Sequence, residues 1–282
     1  MRIDAHQHYW VMHRDDYGWI TPELTALYRD FLPEHLSPHL KAHQLHGSIV
    51  VQAAPTLEET EFLLALAEDN PSILGVVGWL DLHDPNHFSQ FQRFTQRPKF
   101  VGFRTMIQDM HDISIIFEPS YIHALRTYAA LDIPIDLLLR CDQLQQVVKL
   151  VNLTPDLRGV IDHLAKPKIA QGELEPWLRQ MKRLAEHPNL YCKLSGMVTE
   201  AEHHRWQIED FTVYIQSILE IFGPKRVMFG SDWPVCLLSA NYDQVIEVLL
   251  QAIPASWGER ERALLFGGNA QRFYKLKEET AR

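Results

Sequence analysis

Short apolar runs alternate along the chain with longer stretches in which apolar residues recur at a helical period. The runs are nearly continuous in Val, Ile, Leu or Phe, which is typical of strands buried on both faces of a parallel sheet. The predicted strands are Arg2–Ala5, Gly47–Gln52, Ile73–Leu80, Phe100–Arg104, Ile133–Leu139, Gly159–His163, Asn189–Leu194 and Arg226–Ser231.

The stretches between these runs predict helices. Leu57–Glu68 carries carboxylates in its first turns, where they favour the helix dipole. Pro176–Glu186 begins with a proline, which a first helical position tolerates. The other predicted helices are Tyr121–Leu131, Gln143–Leu150, Glu209–Phe222 and Tyr242–Ala252.

Eight strands alternating with helices predict an α/β fold, a (β/α)8 TIM barrel in which residues 1–282 form a single domain. A doubly wound open sheet is the alternative, but the chain lacks the glycine-rich phosphate-binding turn that would support it. Residues 9–46, after the first strand, are predicted to form a long loop or lid beside the pocket.

Composition narrows the expected partners to a small molecule. The 27 Lys and Arg against 36 Asp and Glu give a net charge of −9, without a basic cluster for nucleic acid or an anionic membrane. We expect no transmembrane helix and a cytoplasmic location, since the first ten residues lack a signal-peptide core. Three unclustered cysteines fit a reducing compartment. The oligomeric state stays open.

Polar residues follow several of the predicted strands, where barrels of this kind have their active sites. His6 and His8 end the first strand, and residues two apart on a strand face the same side. Burying two imidazoles without partners is costly, so a functional pair is favoured. His163 ends the sixth strand. Taken alone, it also fits a hydrogen-bonded core histidine, an alternative that weakens once His6 and His8 lie on the neighbouring rim.

Asp232 follows the eighth strand directly. A carboxylate that faces imidazoles can take a proton from water. A helix N-cap is the alternative, but the following Trp-Pro-Val does not start like a helix. The predicted catalytic residues are therefore Asp232, His6, His8 and His163.

Further polar and aromatic side chains are expected around the barrel mouth. Those at strand ends could bind ligand oxygens or pair with buried charges, and the sequence leaves both alternatives open. Tryptophans can stack on a sugar ring, but they are also ordinary core residues. The predicted substrate contacts are Gln52, Trp79, Arg104, Lys166, Lys193, Trp10 and Trp233.

These residues resemble the amidohydrolase superfamily, whose members carry His-x-His after the first barrel strand and an aspartate after the eighth. The lactonase branch, with its L-fuconolactonase-like and L-rhamnonolactonase-like enzymes, is more similar still. The resemblance implies that the protein opens the ring of a sugar-acid lactone, with Asp232 activating water. It lies in residues 4–10, 29–33, 51–55, 162–167, 192–196 and 228–234.

The resemblance also raises the question of a metal. Metal-dependent members add a histidine or lysine from the middle strands, whereas here the fourth strand ends in Arg104 and the fifth has no histidine. His6, His8 and Asp232 offer three ligands, so a divalent metal such as zinc is possible, but no cofactor is expected to be required.

Two alternatives to this lactonase hypothesis remain. A zinc-dependent hydrolase or decarboxylase of the same superfamily would use the three ligands for its metal. A non-catalytic sugar-acid binding barrel is disfavoured, because binding gains nothing from a water-activating aspartate among histidines.

Overall fold

Eight parallel strands follow one another around a barrel in chain order, each hydrogen-bonded to the next. The computed structural model describes residues 1–277. This arrangement confirms the predicted (β/α)8 barrel. The strands are β1 (Ile3–Gln7), β2 (Gly47–Val51), β3 (Ile73–Trp79), β4 (Phe100–Met106), β5 (Ile135–Leu138), β6 (Gly159–Ile161), β7 (Leu190–Leu194) and β8 (Val227–Phe229).

Helices cover the outside of the barrel and bury their apolar faces against the strands. Thr56 caps the second helix by accepting a hydrogen bond from the Glu59 backbone N–H at 3.1 Å. The helices are α1 (Pro33–Ala42), α2 (Leu57–Asp69), α3 (His87–Phe94), α4 (Pro119–Ala130), α5 (Leu144–Leu153), α6 (Trp177–Ala185), α7 (Ile208–Phe222), α8 (Tyr242–Ala252), α9 (Glu259–Ala263) and α10 (Asn269–Phe273). Within residues 1–277, no helix has the length and apolar character needed to cross a membrane.

The structure differs from the predicted elements in the first connection. Residues 9–46 were expected to form a loop, but they include α1, which packs Leu36 and Leu40 into the core. A proline inside this helix, Pro38, and its few apolar residues hide the helical period in the sequence. The irregular part is therefore residues 8–32, which we call the β1 loop.

The sixth strand is shorter than predicted. It ends at Ile161, and residues 162–165 form a tight turn instead of extended chain. His163 consequently projects from a turn and not from a strand. Leu164 and Ala165 are completely buried in that turn, which explains why apolar residues occupy these positions.

The ring closes between β8 and β1 with little backbone pairing. Within residues 1–277 no ladder joins the two strands, and one isolated bridge pairs Gln7 of β1 with Trp233, four residues after the end of β8. The His8 N–H donates to the Trp233 carbonyl at 2.7 Å, and the Asp232 N–H donates to the His6 carbonyl at 2.8 Å. We call this junction the β8–β1 seam.

Gly102 on β4 tests the close packing of the barrel strands. A methyl group at this position would overlap the carbonyl of Pro134, which is backbone and cannot rotate away. Overpacking of this kind destabilises by about 1–3 kcal/mol. We expect Gly102→Ala to lower the free energy of unfolding by that amount in urea denaturation.

The matched control is Gly18→Ala, because no heavy atom lies within 4 Å of the added methyl group there. Its free energy of unfolding should stay within about 0.5 kcal/mol of the unchanged protein. Equal stability of the two variants would contradict the packing argument.

Candidate active site

Four side chains converge at the carboxyl ends of β1, β6 and β8. The Nε2 atoms of His6 and His8 lie 3.2 Å apart. Asp232 Oδ1 lies 3.3 Å from His8 Nε2, 3.8 Å from His6 Nε2 and 3.9 Å from His163 Nε2. The four residues predicted to be catalytic are therefore brought together in one buried cluster.

The backbone around His163 is held in an uncommon conformation. All four residues of the turn 163–166 have positive φ, between 49° and 57°, and so does Asp232. For residues with a Cβ this left-handed conformation costs roughly 1–2 kcal/mol each. The Trp177 indole N–H donates to the Leu164 carbonyl at 2.7 Å and helps to hold the turn. Such strain persists when surrounding contacts fix it, and it is common at functional sites.

Gly196 lets His163 and Asp232 approach each other. Its φ is +63°, and a Cβ at this position would lie 2.5 Å from His163 Nδ1 and 3.1 Å from Asp232 Oδ2. Both the backbone conformation and the space therefore require glycine. The neighbouring Ser195 hydroxyl is hydrogen-bonded to His163 Nδ1 at 2.9 Å, which fixes the orientation of the imidazole ring.

The contact of His8 with backbone determines its tautomer. His8 Nδ1 lies 2.8 Å from the Val51 carbonyl, which can only accept a hydrogen bond. In a neutral His8 this contact places the proton on Nδ1 and leaves the Nε2 lone pair to accept from His6 Nε2 at 3.2 Å.

A network of buried charges lies beneath the histidines. Lys193 is completely buried and forms an ion pair with Asp136, and its Nζ lies 3.1 Å from Asp162 Oδ1. The same Nζ lies 3.0 Å from His6 Nδ1. Tyr274 donates its hydroxyl to Asp136 at 2.8 Å. This network fixes the position of His6 from below.

Burial determines the charge state of the cluster. It lowers the pKa of both His6 and His163 well below the ordinary imidazole value, and the charge of Lys193 lowers that of His6 further. Burial would raise the pKa of Asp232, but His163 and His8 outweigh it and leave that pKa below the ordinary carboxyl value. At neutral pH a carboxylate therefore lies beside the neutral imidazoles of His6 and His163.

A cavity of about 740 Å³ opens above this cluster. His8, His163 and Asp232 lie on its wall, whereas His6 is fully buried beneath them. The cavity wall also includes three of the predicted substrate contacts, Trp79, Arg104 and Lys166.

Four other predicted contacts lie away from the cavity wall. Gln52 is buried and accepts a hydrogen bond from Arg104 at 2.9 Å, and Lys193 belongs to the network under His6. Trp10 donates its indole N–H to the Arg29 carbonyl at 2.9 Å, so it anchors the β1 loop. Trp233 packs edge-on against Phe31 in the core. In the structure these four side chains support the site from behind.

Comparison with known proteins identifies the family to which this chain belongs. The sequence pattern described as Amidohydrolase matches residues 3–276. The chain belongs to the amidohydrolase family. It is 38% identical to a Burkholderia ambifaria protein named L-fucono-1,5-lactonase, over 98% of this chain and 96% of that protein. A Burkholderia multivorans protein of the same name is 37% identical, over 99% and 97%. The predicted resemblance is confirmed.

A solved structure extends the comparison to three dimensions. A crystal structure of an amidohydrolase from Burkholderia multivorans with bound zinc has a TM-score of 0.93 and 37% sequence identity. The match covers 98% of this chain and 100% of that one. Their barrels are therefore alike over their whole length.

The donor atoms of this amidohydrolase fit a divalent cation. The separations of 3.2, 3.3 and 3.8 Å among His6 Nε2, His8 Nε2 and Asp232 Oδ1 are close to the edge of a tetrahedron. For ligand distances of about 2.0–2.2 Å that edge measures about 3.3–3.6 Å. His8 also gives its other ring N–H to a carbonyl, as metal-binding histidines do. The three residues could hold a metal and leave a fourth position open.

Sequence reasoning missed two parts of the site. Trp19, in the β1 loop, lies on the cavity wall and is fixed by an indole hydrogen bond to the Ala53 carbonyl at 2.8 Å. Nothing in the irregular sequence of the loop distinguishes it from Trp10. Asp136, the partner of Lys193, did carry a signal, since it is the one charged residue of β5.

Asp4 joins the β8–β1 seam just below Asp232. Its carboxylate accepts hydrogen bonds from the Ser231 N–H at 2.8 Å, the Ser231 hydroxyl at 2.5 Å and the Tyr242 hydroxyl at 2.9 Å. Burial raises the pKa of Asp4 to about 6 despite these donors. The carboxylate therefore fixes the turn that carries Asp232.

We expect Asp4→Asn to weaken both the seam and the site. Its amide N–H₂ would face a hydroxyl or N–H donor, and a buried unsatisfied group costs about 1–3 kcal/mol. The free energy of unfolding in urea should fall by this amount, and kcat should fall because the Asp232 turn is less well held. Asp156→Asn is the control, since Asp156 is exposed in a turn at the other end of the barrel. Unchanged stability of Asp4→Asn would contradict this role.

Proposed function

We propose that this amidohydrolase hydrolyses lactones of sugar acids, of the L-fucono-1,5-lactone type. The observation that carries the proposal is the Asp232 carboxylate, held among three imidazoles on the wall of a cavity that admits a sugar-sized ring. The two relatives named L-fucono-1,5-lactonase support the choice of substrate class.

Asp232 acts as the general base in this proposal. Its lowered pKa keeps it ionised at neutral pH, and it borders the cavity, where water has access. It takes a proton from water as the water oxygen bonds to the lactone carbonyl carbon. When the bond from that carbon to the ring oxygen breaks, the same proton passes to the ring oxygen. The product is a hydroxy acid.

The histidines stabilise the oxyanion that forms on the carbonyl oxygen. Lys193 Nζ can only donate and lies 3.0 Å from His6 Nδ1, closer than the acceptor Asp162 Oδ1 at 3.3 Å. A neutral His6 therefore carries its proton on Nε2, beneath His8 and Asp232. His163 presents its Nε2 to the cavity, while Ser195 holds its other ring nitrogen. Donors aimed at a developing charge contribute about 3–4 kcal/mol each in comparable sites.

The cavity wall holds the rest of the substrate. Arg104 and Lys166 offer hydrogen-bond donors to its hydroxyl groups. Trp79 and Trp19 offer aromatic faces for the C–H side of a sugar ring. Paired arginines, which would suit a dicarboxylate, are absent from the cavity wall formed by residues 1–277.

Turnover in this proposal does not require a metal. A divalent cation on His6, His8 and Asp232 would polarise the carbonyl as a Lewis acid. Asp162 Oδ1, 3.3 Å from His6 Nδ1, favours a proton on Nδ1, but Lys193 Nζ is closer, at 3.0 Å, and can only donate. This contact favours the tautomer that donates from Nε2, which has no lone pair there for a metal. The support for metal-independent turnover is this contact, together with a lactone ester that is easier to break than an amide.

A panel of lactones tests the substrate class. We expect kcat/KM on L-fuconolactone, L-rhamnonolactone and L-galactonolactone to exceed that on a pyrone dicarboxylate lactone by at least about tenfold. The two carboxylates of the pyrone would be buried without paired arginines to compensate their charge. A pH-indicator assay at neutral pH measures each rate. A preference for the dicarboxylate would overturn the sugar-lactone proposal. If no lactone were hydrolysed, the proposal of a lactone hydrolase itself would be wrong.

Asp232→Asn should abolish most of the activity and leave the fold intact, because the change is nearly isosteric but removes the base. Loss of a general base typically lowers kcat by about 10²–10⁴-fold. Urea denaturation checks the fold, and Asp156→Asn serves again as the exposed control. If the variant kept more than a tenth of the rate, Asp232 would not be the base.

Prolonged chelation should leave most of the lactonase activity in place. The metal content of the treated enzyme is measured alongside the rate on L-fuconolactone. Loss of activity with the chelator and its return with zinc would select the metal-dependent alternative, in which His6, His8 and Asp232 hold the cation.

A further inference from the structure

The cavity has more room and more apolar surface than a monosaccharide lactone needs. Its volume of about 740 Å³ lies in the upper part of the range of about 300–1,000 Å³ that is typical of pockets for drug-sized ligands. Much of its lining consists of aliphatic and thioether side chains. We use the term apolar wall for Leu80, Leu82, Met106, Met110 and Ile115.

The apolar wall lies across the barrel mouth from the catalytic carboxylate. Its residues lie in the connections that follow β3 and β4 or, for Met106, at the end of β4, whereas Asp232 follows β8. In a ring of eight strands in chain order, β4 is opposite β8. A lactone whose carbonyl lies at Asp232 therefore directs the far side of its ring, and any substituent there, towards the apolar wall.

The wall is poorly matched to hydroxyl groups. Moving a hydroxyl out of water without a new hydrogen-bond partner costs free energy. Aliphatic side chains offer no such partner, and a thioether is only a weak acceptor. Met106, Met110 and Ile115 are only half-buried, so apolar area is available for a ligand to cover. Three charged residues lie among these side chains. His83 and Asp109 are exposed to solvent, and the half-buried Asp81 accepts a hydrogen bond from the His83 N–H at 2.9 Å, so none of them needs an opposite charge on the ligand.

We propose that the enzyme also hydrolyses lactones carrying an alkyl or aryl substituent, and that the apolar wall binds this substituent. The inference rests on the proposed lactonase function and adds a second substrate class to it. The chemistry is unchanged: water adds to the carbonyl carbon, the bond to the ring oxygen breaks, and that oxygen takes the proton.

The size of the effect follows from the area that the substituent removes from water. Each buried methylene strengthens binding by roughly fourfold. In a δ-lactone with a chain on the carbon that bears the ring oxygen, the chain is attached two bonds from the carbonyl carbon and extends away from the bonds that change. For this reason it contributes nearly equally to ground state and transition state. It therefore raises kcat/KM through a lower KM and leaves kcat nearly unchanged.

The first experiment compares δ-valerolactone with δ-decalactone, which adds a five-carbon chain, and includes L-fuconolactone as the reference. We expect kcat/KM to be at least about tenfold higher for δ-decalactone, mainly through KM. Equal or lower kcat/KM for δ-decalactone, with L-fuconolactone still hydrolysed, overturns this inference alone. No turnover of any of the three overturns the proposed function as well.

The second experiment assigns the effect to the apolar wall. Met110→Gln keeps the length of the side chain but makes it polar, so the δ-decalactone to δ-valerolactone ratio of kcat/KM should fall several-fold. Ile115→Thr should lower the ratio in the same direction. Leu131→Gln is the control, because Leu131 is 47% exposed beyond the end of α4 and outside the cavity lining described here.

Urea denaturation confirms that each variant is folded. A ratio that stays at the unchanged protein's value in both Met110→Gln and Ile115→Thr would overturn the role of the wall. So would an equal fall of the ratio in Leu131→Gln.

Discussion

The barrel mouth depends on one buried ammonium group. Lys193 is fully enclosed, and an isolated charge in such surroundings would be very unfavourable. Asp136 from β5 and Asp162 from β6 compensate it, and His6 from β1 lies against the same nitrogen. One cation thereby ties together strands from opposite sides of the ring. Removing either partner of such a buried pair is typically far more damaging than losing a surface pair.

This network also sets the chemistry above it. Burial and the nearby ammonium keep His6 neutral, so the imidazole can donate a hydrogen bond from Nε2 beneath the cavity. The carboxylate of Asp232 stays ionised a few ångströms away, because His163 and His8 favour its charged form. A carboxylate that can accept a proton and a neutral imidazole that can donate a hydrogen bond are therefore held side by side, as acid–base chemistry requires.

The sequence predicted the site best where a polar residue follows an apolar run. His6, His8 and Asp232 stand at such positions, and the geometry of parallel strands brings them together. The left-handed turn that carries His163 could not be predicted, because Asp162 and His163 continue directly from the apolar run of the predicted strand and no glycine marks the turn. The sequence also could not predict which tryptophan of the β1 loop lines the cavity. Trp10 and Trp19 have the same side chain, and only the fold shows that Trp19 lies on the wall and Trp10 in the core.

The β8–β1 seam has a consequence for how the enzyme loses its function. Within residues 1–277 its backbone pairing is an isolated bridge, in place of the continuous ladders that join the other strands. Local opening in proteins begins where few backbone hydrogen bonds resist it. His6 and His8 lie on one side of the seam and Asp232 on the other. A small opening there separates Asp232 from His6 and His8, while His163 and the remaining seven junctions stay in place. We therefore expect warming to disrupt the site before the barrel unfolds.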